Sequence, residues 1–298
     1  MTVVRTVADE ELDAYVRLWN AITPDEPTSV EQQRDRRVRD PRRLYLLAER
    51  GGMAVGCGFA GPSQSQGRGY LEPRVLPDAR RRGVGAALLI DLVAHLEGLG
   101  FETASSHVDG SDAGSLDFSR SFGFEEVDRQ VEQVWTGAPG TRDGERPSGV
   151  TFSTLAERPE LLRESYPLAQ EGYADMATYM PVTITFDDWL AGDDGNVPEA
   201  SFVALAGDEI VGFSGLCRNP DGALEDGLTV VRREWRRRGV AEALKRAKLA
   251  WAVANGVDRI STWTQKGNDA MRALNERLGY EYRSVSVSVR APLERIAL

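Results

Sequence analysis

Arg80-Arg81-Arg82-Gly83-Val84 returns 156 residues later as Arg236-Arg237-Arg238-Gly239-Val240, and the spacing between the two copies decides how the chain is organised. The same offset relates Ala48 to Ala204, Val55-Gly56 to Val211-Gly212, Val75 to Val231 and Leu88 to Leu244. It also relates Gly100 to Gly256, Ser105 to Ser261, and Gly123-Phe124 to Gly279-Tyr280. A single run of arginines in an arginine-rich chain reads as a solvated basic face. Recurrence within an ungapped register reads instead as a duplicated unit. Two copies are too few for a stacked array, so two homologous domains are expected, and 298 residues are enough for two cores. The stretch from Gly137 to Gly149, rich in Gly, Pro and polar residues, has linker composition. The expected division is therefore 1–136, a linker at 137–149, and 150–298.

Within each copy the pattern alternates between strand and helix. Ser201 to Ala206 and Glu209 to Leu216 read as a hairpin about Gly207-Asp208, matched by Leu44 to Glu49 and Met53 to Phe59 about Gly51-Gly52. A strand ending near Val75 or Val231 leads to the arginine loop and then to a helix. In the second helix Val240, Leu244, Ala247, Trp251 and Ala254 fall on one expected buried face, and Gly100 and Gly256 end the two helices. Strands at Thr103 to Val108 and Arg259 to Thr264, short helices before Gly123 and Gly279, and a final strand complete each copy. Val285, Val287 and Val289 alternate as a half-buried strand does. The expected fold class is mixed α/β, twice.

Bulk properties exclude several functions. With 41% hydrophobic and 28% charged residues the composition is that of a soluble globular protein. No N-terminal apolar region resembles a secretory signal and no run is long enough to span a membrane, so a cytoplasmic protein without a membrane partner is expected. Cys57 and Cys217 lie in apolar stretches and read as packing residues, and His95 and His107 are too few and too scattered for a zinc site or a triad. No metal is expected. A net charge of −10 disfavours nucleic acid, which requires a dominant basic surface, and fits a cationic substrate better.

A strand entering an Arg/Gly loop that opens a helix is suited to a pyrophosphate: the helix start supplies unpaired N–H groups and a positive dipole end, and glycine permits close approach. The loop has neither Walker spacing nor the GxGxxG of a dinucleotide fold, which disfavours ATP and NAD. Arg80-x-x-Gly83-x-Gly85 and Arg236-x-x-Gly239-x-Ala241 resemble the R/Q-x-x-G-x-G/A acetyl-CoA signature of the GNAT superfamily, the general-control-related N-acetyltransferases. The closing pairs Gly123-Phe124 and Gly279-Tyr280 resemble it too. In the second copy Thr229-Val230-Val231, Trp263, Gln265 to Asn268, Asn275 and Leu278 to Tyr280 are similar to tandem proteins of the mycothiol-synthase type.

That resemblance implies two tandem domains, each a mixed, mostly antiparallel splayed sheet flanked by helices. It implies that the pantetheine arm of acetyl-CoA, or of another acyl-CoA, pairs along the strands near Val75 or near Val230 and Val231. The pyrophosphate would lie over the loops formed by Arg80, Arg81, Arg82, Gly83, Val84, Gly85 and Ala86, and by Arg236, Arg237, Arg238, Gly239, Val240, Ala241 and Glu242. Asn268 takes the family's pantetheine-contacting position, with Asp112 in its place in the first copy, and Asn275 is expected near the coenzyme. The implied reaction is acetyl transfer to a primary amine of a small molecule or peptide, with the second domain favoured through Asn268.

An ordinary amine is mostly protonated at neutral pH, so a base is needed. Glu225 and Asp226, at the entry to the second-domain core strand, and Glu72 in the first domain are the candidates, set against their being plain strand-end carboxylates. Many family members carry an acidic tyrosine four residues before the Gly-aromatic pair; Ser119 and Asn275 stand there. Tyr280 reads as core. The competing readings are an acyl-CoA sensor or structural protein with silent domains, and nucleic-acid binding by the arginine clusters. Tyr173 to Leu190, rich in aromatics, lines a second-domain pocket or belongs to the core.

Overall fold

The computed structural model describes residues 1–24, 27–63, 68–137, 144–176, 185–191, 195–219 and 222–296, with backbone alone at 188, 190 and 191. Two compact units emerge: one formed by residues 1–127 and 287–298, the other by 128–286. This differs from the division at a 137–149 linker, of which 138–143 lie outside the described residues. Each closing strand is split between the units. The physical reason is pairing, which local sequence pattern does not reveal.

In the first unit, β1 (Thr2–Thr6), α1 (Leu12–Ile22) and α2 (Val30–Arg39) precede the hairpin β2 (Leu44–Arg50) and β3 (Met53–Pro62). Then follow β4 (Gly69–Val75), α3 (Val84–Gly98), β5 (Thr103–Asp109), α4 (Ala113–Ser121) and the start of β6 (Glu125–Trp135). β1 to β4 pair antiparallel in chain order and β4 meets β5 in parallel. The sheet continues past β5 with the final strand, β12 (Tyr280–Pro292). The amide of Leu293 donates to Glu102 O at 2.9 Å beside that strand.

The second unit contains β7 (Thr151–Thr154), α5 (Glu160–Glu164), α6 (Tyr166–Ala174), α7 (Phe186–Ala191), β8 (Phe202–Ala206), β9 (Glu209–Arg218) and β10 (Leu224–Val231). α8 (Val240–Ala254), β11 (Ile260–Gln265) and α9 (Asp269–Arg277) come next. Its strand order is β7-β8-β9-β10-β11-β6. Ile260 to Gln265 of β11 pair antiparallel with Trp135 to Gln130, so the end of β6 belongs here. The two hairpins both shift register at matching points, Ala48/Glu49 and Ala204/Leu205, as expected of a duplication.

Helix α3 buries Val84, Leu88, Leu89, Leu92, Val93 and Leu96 against its sheet. Each such side chain contributes about 1.5–3 kcal/mol of transfer free energy. In α8 the buried stripe includes Val240, Leu244 and Ala247 as expected, but Trp251 is half-buried and Ala254 exposed. Lys245 and Lys248 are buried instead, at 2% and 0% exposure, because they find a carboxylate inside. Val287, Val289 and Ala291 are buried while Val285 is half-buried. Cys57 is buried, its thiol pushed up by loss of water, and Cys217 is half-buried; neither forms a disulfide among the described residues. No helix among the described residues is long and apolar enough to cross a membrane.

Candidate functional site

In each unit the parallel strands separate soon after they meet. Among the described residues, β4 pairs with β5 only through Gly69 with Ala104 and Tyr70 with Ser105, and β10 pairs with β11 only through Glu225 with Ser261. Past those points Val75, Val230 and Val231 remain paired with the antiparallel neighbour on one side, and the gap opens on the other. Such a gap leaves backbone donors and acceptors for an extended ligand.

Beyond each strand the arginine loop leads into α3 or α8. Arg81 and Arg237 hold φ of 59° and 63°, and Gly83 and Gly239 hold 78° and 82°. Left-handed arginine is strained, and strain of this kind collects at functional loops. The first arginine braces each loop. Arg80 Nε donates to Val75 O at 3.2 Å and its guanidinium pairs with Asp112 at 2.8 Å. Arg236 Nε donates to Val231 O at 2.9 Å and its guanidinium pairs with Asp175 at 2.6 Å.

Arg81, Arg82, Arg237 and Arg238 are exposed, and no side chain caps either helix start at Gly83 or Gly239. The first-turn N–H groups of Val84, Gly85 and Ala86, and of Val240, Ala241 and Glu242, therefore have no intrahelical acceptor. A Cβ built on Gly83 or Gly239 would meet nothing within 4 Å, so the helix starts are open to a ligand. A cleft of about 360 Å³ at the second is lined by Gly144, Arg238, Gly239, Glu242 and Arg246. Glu242 turns away from the helix start toward Arg246, at 2.9 Å, where Ala86 stands in the first unit.

The three candidate bases differ sharply. β4 keeps one register from Gly69 to Val75, but β10 shifts register between Asp226 and Thr229. This bulge reverses the facing of everything before it. Glu225 meets Ser261 as Tyr70 meets Ser105, so Glu225 occupies Tyr70's place and Asp226 occupies that of Leu71. The ungapped alignment does not hold across these positions.

Asp226 thus points at α8, fully buried between the ammonium groups of Lys245 and Lys248, with Tyr280 Oη at 3.3 Å. Burial opposes its ionisation, but the two ammonium charges outweigh that and lower its pKa. This correction is physical: a carboxylate shared by two buried cations and closed to solvent has no access to an incoming amine. Tyr280 is core, 2% exposed, as the sequence suggested.

Glu225 faces the other side, half-buried at the mouth of the gap. Desolvation raises its pKa, with smaller contributions from the charges of Asp226 and Glu132 and an opposing hydrogen bond from Asn219 Nδ2 at 3.4 Å. Glu72, only 7% exposed, is held by Arg74 and accepts a hydrogen bond from Tyr70 Oη at 2.9 Å.

A splayed parallel pair followed by an open Arg/Gly loop and helix start, found twice, can be set beside known proteins. The acetyltransferase (GNAT) family profile matches residues 5–124 and again 159–280. The chain belongs to the GNAT family. A phosphinothricin N-acetyltransferase from Alcaligenes faecalis is 33% identical over 135 residues, 41% of this chain and 68% of that protein. The GCN5-related N-acetyltransferase of Sphaerobacter thermophilus superposes with a TM-score of 0.79 at 21% identity, covering 98% of this chain and 96% of that one. A tandem GNAT protein from the clavulanic acid biosynthesis pathway gives 0.71 at 18% identity, covering 98% and 99%. At these identities the two structures establish a shared tandem GNAT fold.

Four residues singled out by the GNAT resemblance have structural tasks here. Asn268 and Asp112 both cap helices: Asn268 Oδ1 accepts from the Met271 amide at 3.4 Å, and Asp112 Oδ1 from that of Ser115 at 3.0 Å. The pair therefore does not separate one unit from the other. Asn275 is fully buried, donating to Gln133 Oε1 at 3.0 Å, while its Oδ1 has no partner, so it is not a surface group awaiting coenzyme. Ser119 Oγ donates to Leu116 O.

Of the aromatic stretch Tyr173 to Leu190, residues 177–184 lie outside the described residues. Tyr173 and Trp189 pack edge to face, and Trp189 likewise packs on Phe213. Two residues with chemical potential escaped the sequence reading, Tyr70 and His107, whose phenol oxygen and Nδ1 lie 3.1 Å apart. The signal that could have found them is the strand pairing, which places their strands side by side.

Proposed function

We propose that this GNAT protein transfers an acetyl group from acetyl-CoA to a primary amine of a small molecule or peptide, with Glu225 of the second unit as the general base. The position of Glu225 carries this reading: a half-buried carboxylate with a raised pKa at the point where β10 and β11 part. Acetyl-CoA supplies the thioester; the residues that would hold it are the β10 edge at Val230 and Val231 and the helix start after Gly239. Backbone N–H groups of that edge are suited to polarising the acyl carbonyl as the amine attacks. Glu225 takes the proton that the amine loses, directly or through one water. The same loop geometry supports coenzyme binding by the first unit around Val75 and Gly83. The acidic balance of the chain favours a cationic acceptor and disfavours nucleic acid.

A base whose pKa lies above the usual carboxylate range must shed its proton before it acts, so kcat/KM rises with pH through that raised pKa. With spermidine as the acceptor, Glu225→Gln should cut kcat/KM by about 10²–10⁴ and erase the acid limb of the pH profile. Retention of both rate and limb would remove Glu225 from the mechanism. Calorimetric titration with acetyl-CoA of the intact chain, Gly83→Asp and Gly239→Asp should show one site lost in each variant. No binding to the intact chain would end the acyltransferase reading.

A further inference from the structure

Outside the Glu225 site, the first unit carries a second set of titratable groups at the matching opening. β4 and β5 stop pairing after Tyr70 with Ser105, and two residues further along each strand stand Glu72 and His107. They occupy the two lips of the gap. Tyr70 Oη bridges them, donating to Glu72 Oε2 at 2.9 Å and lying 3.1 Å from His107 Nδ1.

A phenol has one proton, and here Glu72 receives it. The contact with His107 must then run the other way, with Nδ1–H as donor, which leaves the lone pair on Nε2. Glu72 is fixed in turn by Arg74, whose Nε donates to Oε1 at 2.8 Å. The chain Arg74, Glu72, Tyr70, His107 orients an imidazole in the tautomer a base requires, with the ring exposed to solvent.

We propose that the N-terminal unit is a second, independent transfer site in which His107 is the base and Tyr70 and Glu72 are positioning residues. It rests on the acyltransferase reading. In this site the amine nitrogen bonds to the acyl carbon as the C–S bond breaks; the nitrogen's proton passes to Nε2, and the departing thiolate takes one from solvent.

The walls indicate the acceptor. Rings follow one another along the face away from α3, each tilted on the next: His107 on Tyr70 at 5.6 Å, Tyr70 on Phe59 at 5.6 Å, Phe59 on Trp19 at 5.9 Å. Arg43 lies 5.4 Å from the Phe59 ring centre and Arg74 lies 5.9 Å from that of Trp19. A flat apolar body fits this ladder, and the two guanidinium groups repel a second positive charge. The acceptor class is a primary amine on an aromatic body, rather than a polyamine.

The test uses the full chain, acetyl-CoA and phenethylamine, following release of the coenzyme thiol, with spermidine as the contrasting amine. Glu225→Gln should retain phenethylamine transfer. Adding His107→Ala should lower that residual kcat by about 10²-fold or more, and imidazole in the buffer should restore it in part. Tyr70→Phe should lower it by a smaller factor while leaving the aromatic ladder intact, and Gly83→Asp should abolish it through coenzyme binding. The proposal is overturned if Glu225→Gln removes all phenethylamine transfer, if His107→Ala leaves the residual rate unchanged, or if spermidine is preferred in the Glu225→Gln protein. Complete loss in Glu225→Gln would leave the second-unit reading standing, which separates the two failures.

Discussion

β4 and β10 are copies of one strand, yet their inner faces are built from opposite materials. Facing α3, β4 presents Leu71 to a helix carrying Leu89 and Leu92. Facing α8, β10 presents Asp226 to Lys245 and Lys248 at the matching helix positions, with Tyr280 where the first unit has Phe124. One bulge separates the two solutions. It turns Asp226 inward and frees Glu225 to face outward, where β4 has Tyr70. A single inserted residue thus exchanges which of two adjacent carboxylates is buried against the helix and which faces the gap.

The largest expected effect comes from breaking the charged version. Asp226→Ala leaves two ammonium groups buried without their carboxylate and should cost about 3–5 kcal/mol in urea unfolding. Converting the second unit to the first unit's material, with Asp226→Leu, Lys245→Leu and Lys248→Leu together, should be neutral or stabilising by about 1–4 kcal/mol. If the triple variant were as unstable as Asp226→Ala, the cluster would have to contribute more than mutual neutralisation.

The next effect is in pH dependence. Desolvation, only partly offset by Asp226, lowers the Lys248 pKa from 10.5 to about 8. Between those values the unfolded chain binds this proton more firmly than the folded one, so stability should climb with pH from about 8 to 10.5. Asp226, with its lowered pKa, contributes in the same direction but in the acid window: its stabilisation is present above the ordinary carboxylate range and fades on acidification. Urea midpoints measured across alkaline pH should show the climb in the parent and a flatter line in Lys248→Met.

The smallest effect distinguishes a cap from a coenzyme contact. Asp112→Ala and Asn268→Ala should each cost about 1 kcal/mol of stability through the lost N-cap. Asp112→Ala should cost slightly more because Arg80 also loses its partner. Coenzyme affinity that dropped in Asn268→Ala while stability held would return Asn268 to the binding site.

These contrasts mark what the sequence could disclose. The repeated Arg/Gly loop, its preceding strand and its following helix were legible because each is local: a hydrophobic period, a glycine at a left-handed position, a helix start. The two hairpins followed from the same signals. The bulge was invisible, since Glu225-Asp226-Gly227-Leu228 reads equally well in either register and only pairing with Cys217 and Leu216 fixes which carboxylate turns inward. The burial of Lys245 and Lys248 was hidden for the same reason. Tyr70 and His107 lie 37 residues apart, and nothing short of the β4/β5 register brings them together.

The division of the closing strands also bears on how the protein is made. Residues 287–298, which belong to the first unit, leave the ribosome roughly 160 residues after residue 127. At about 5–20 residues per second that is a wait on the order of 8–30 s, during which the nascent first unit presents the unfinished edge of β5. The half translated first is the half completed last.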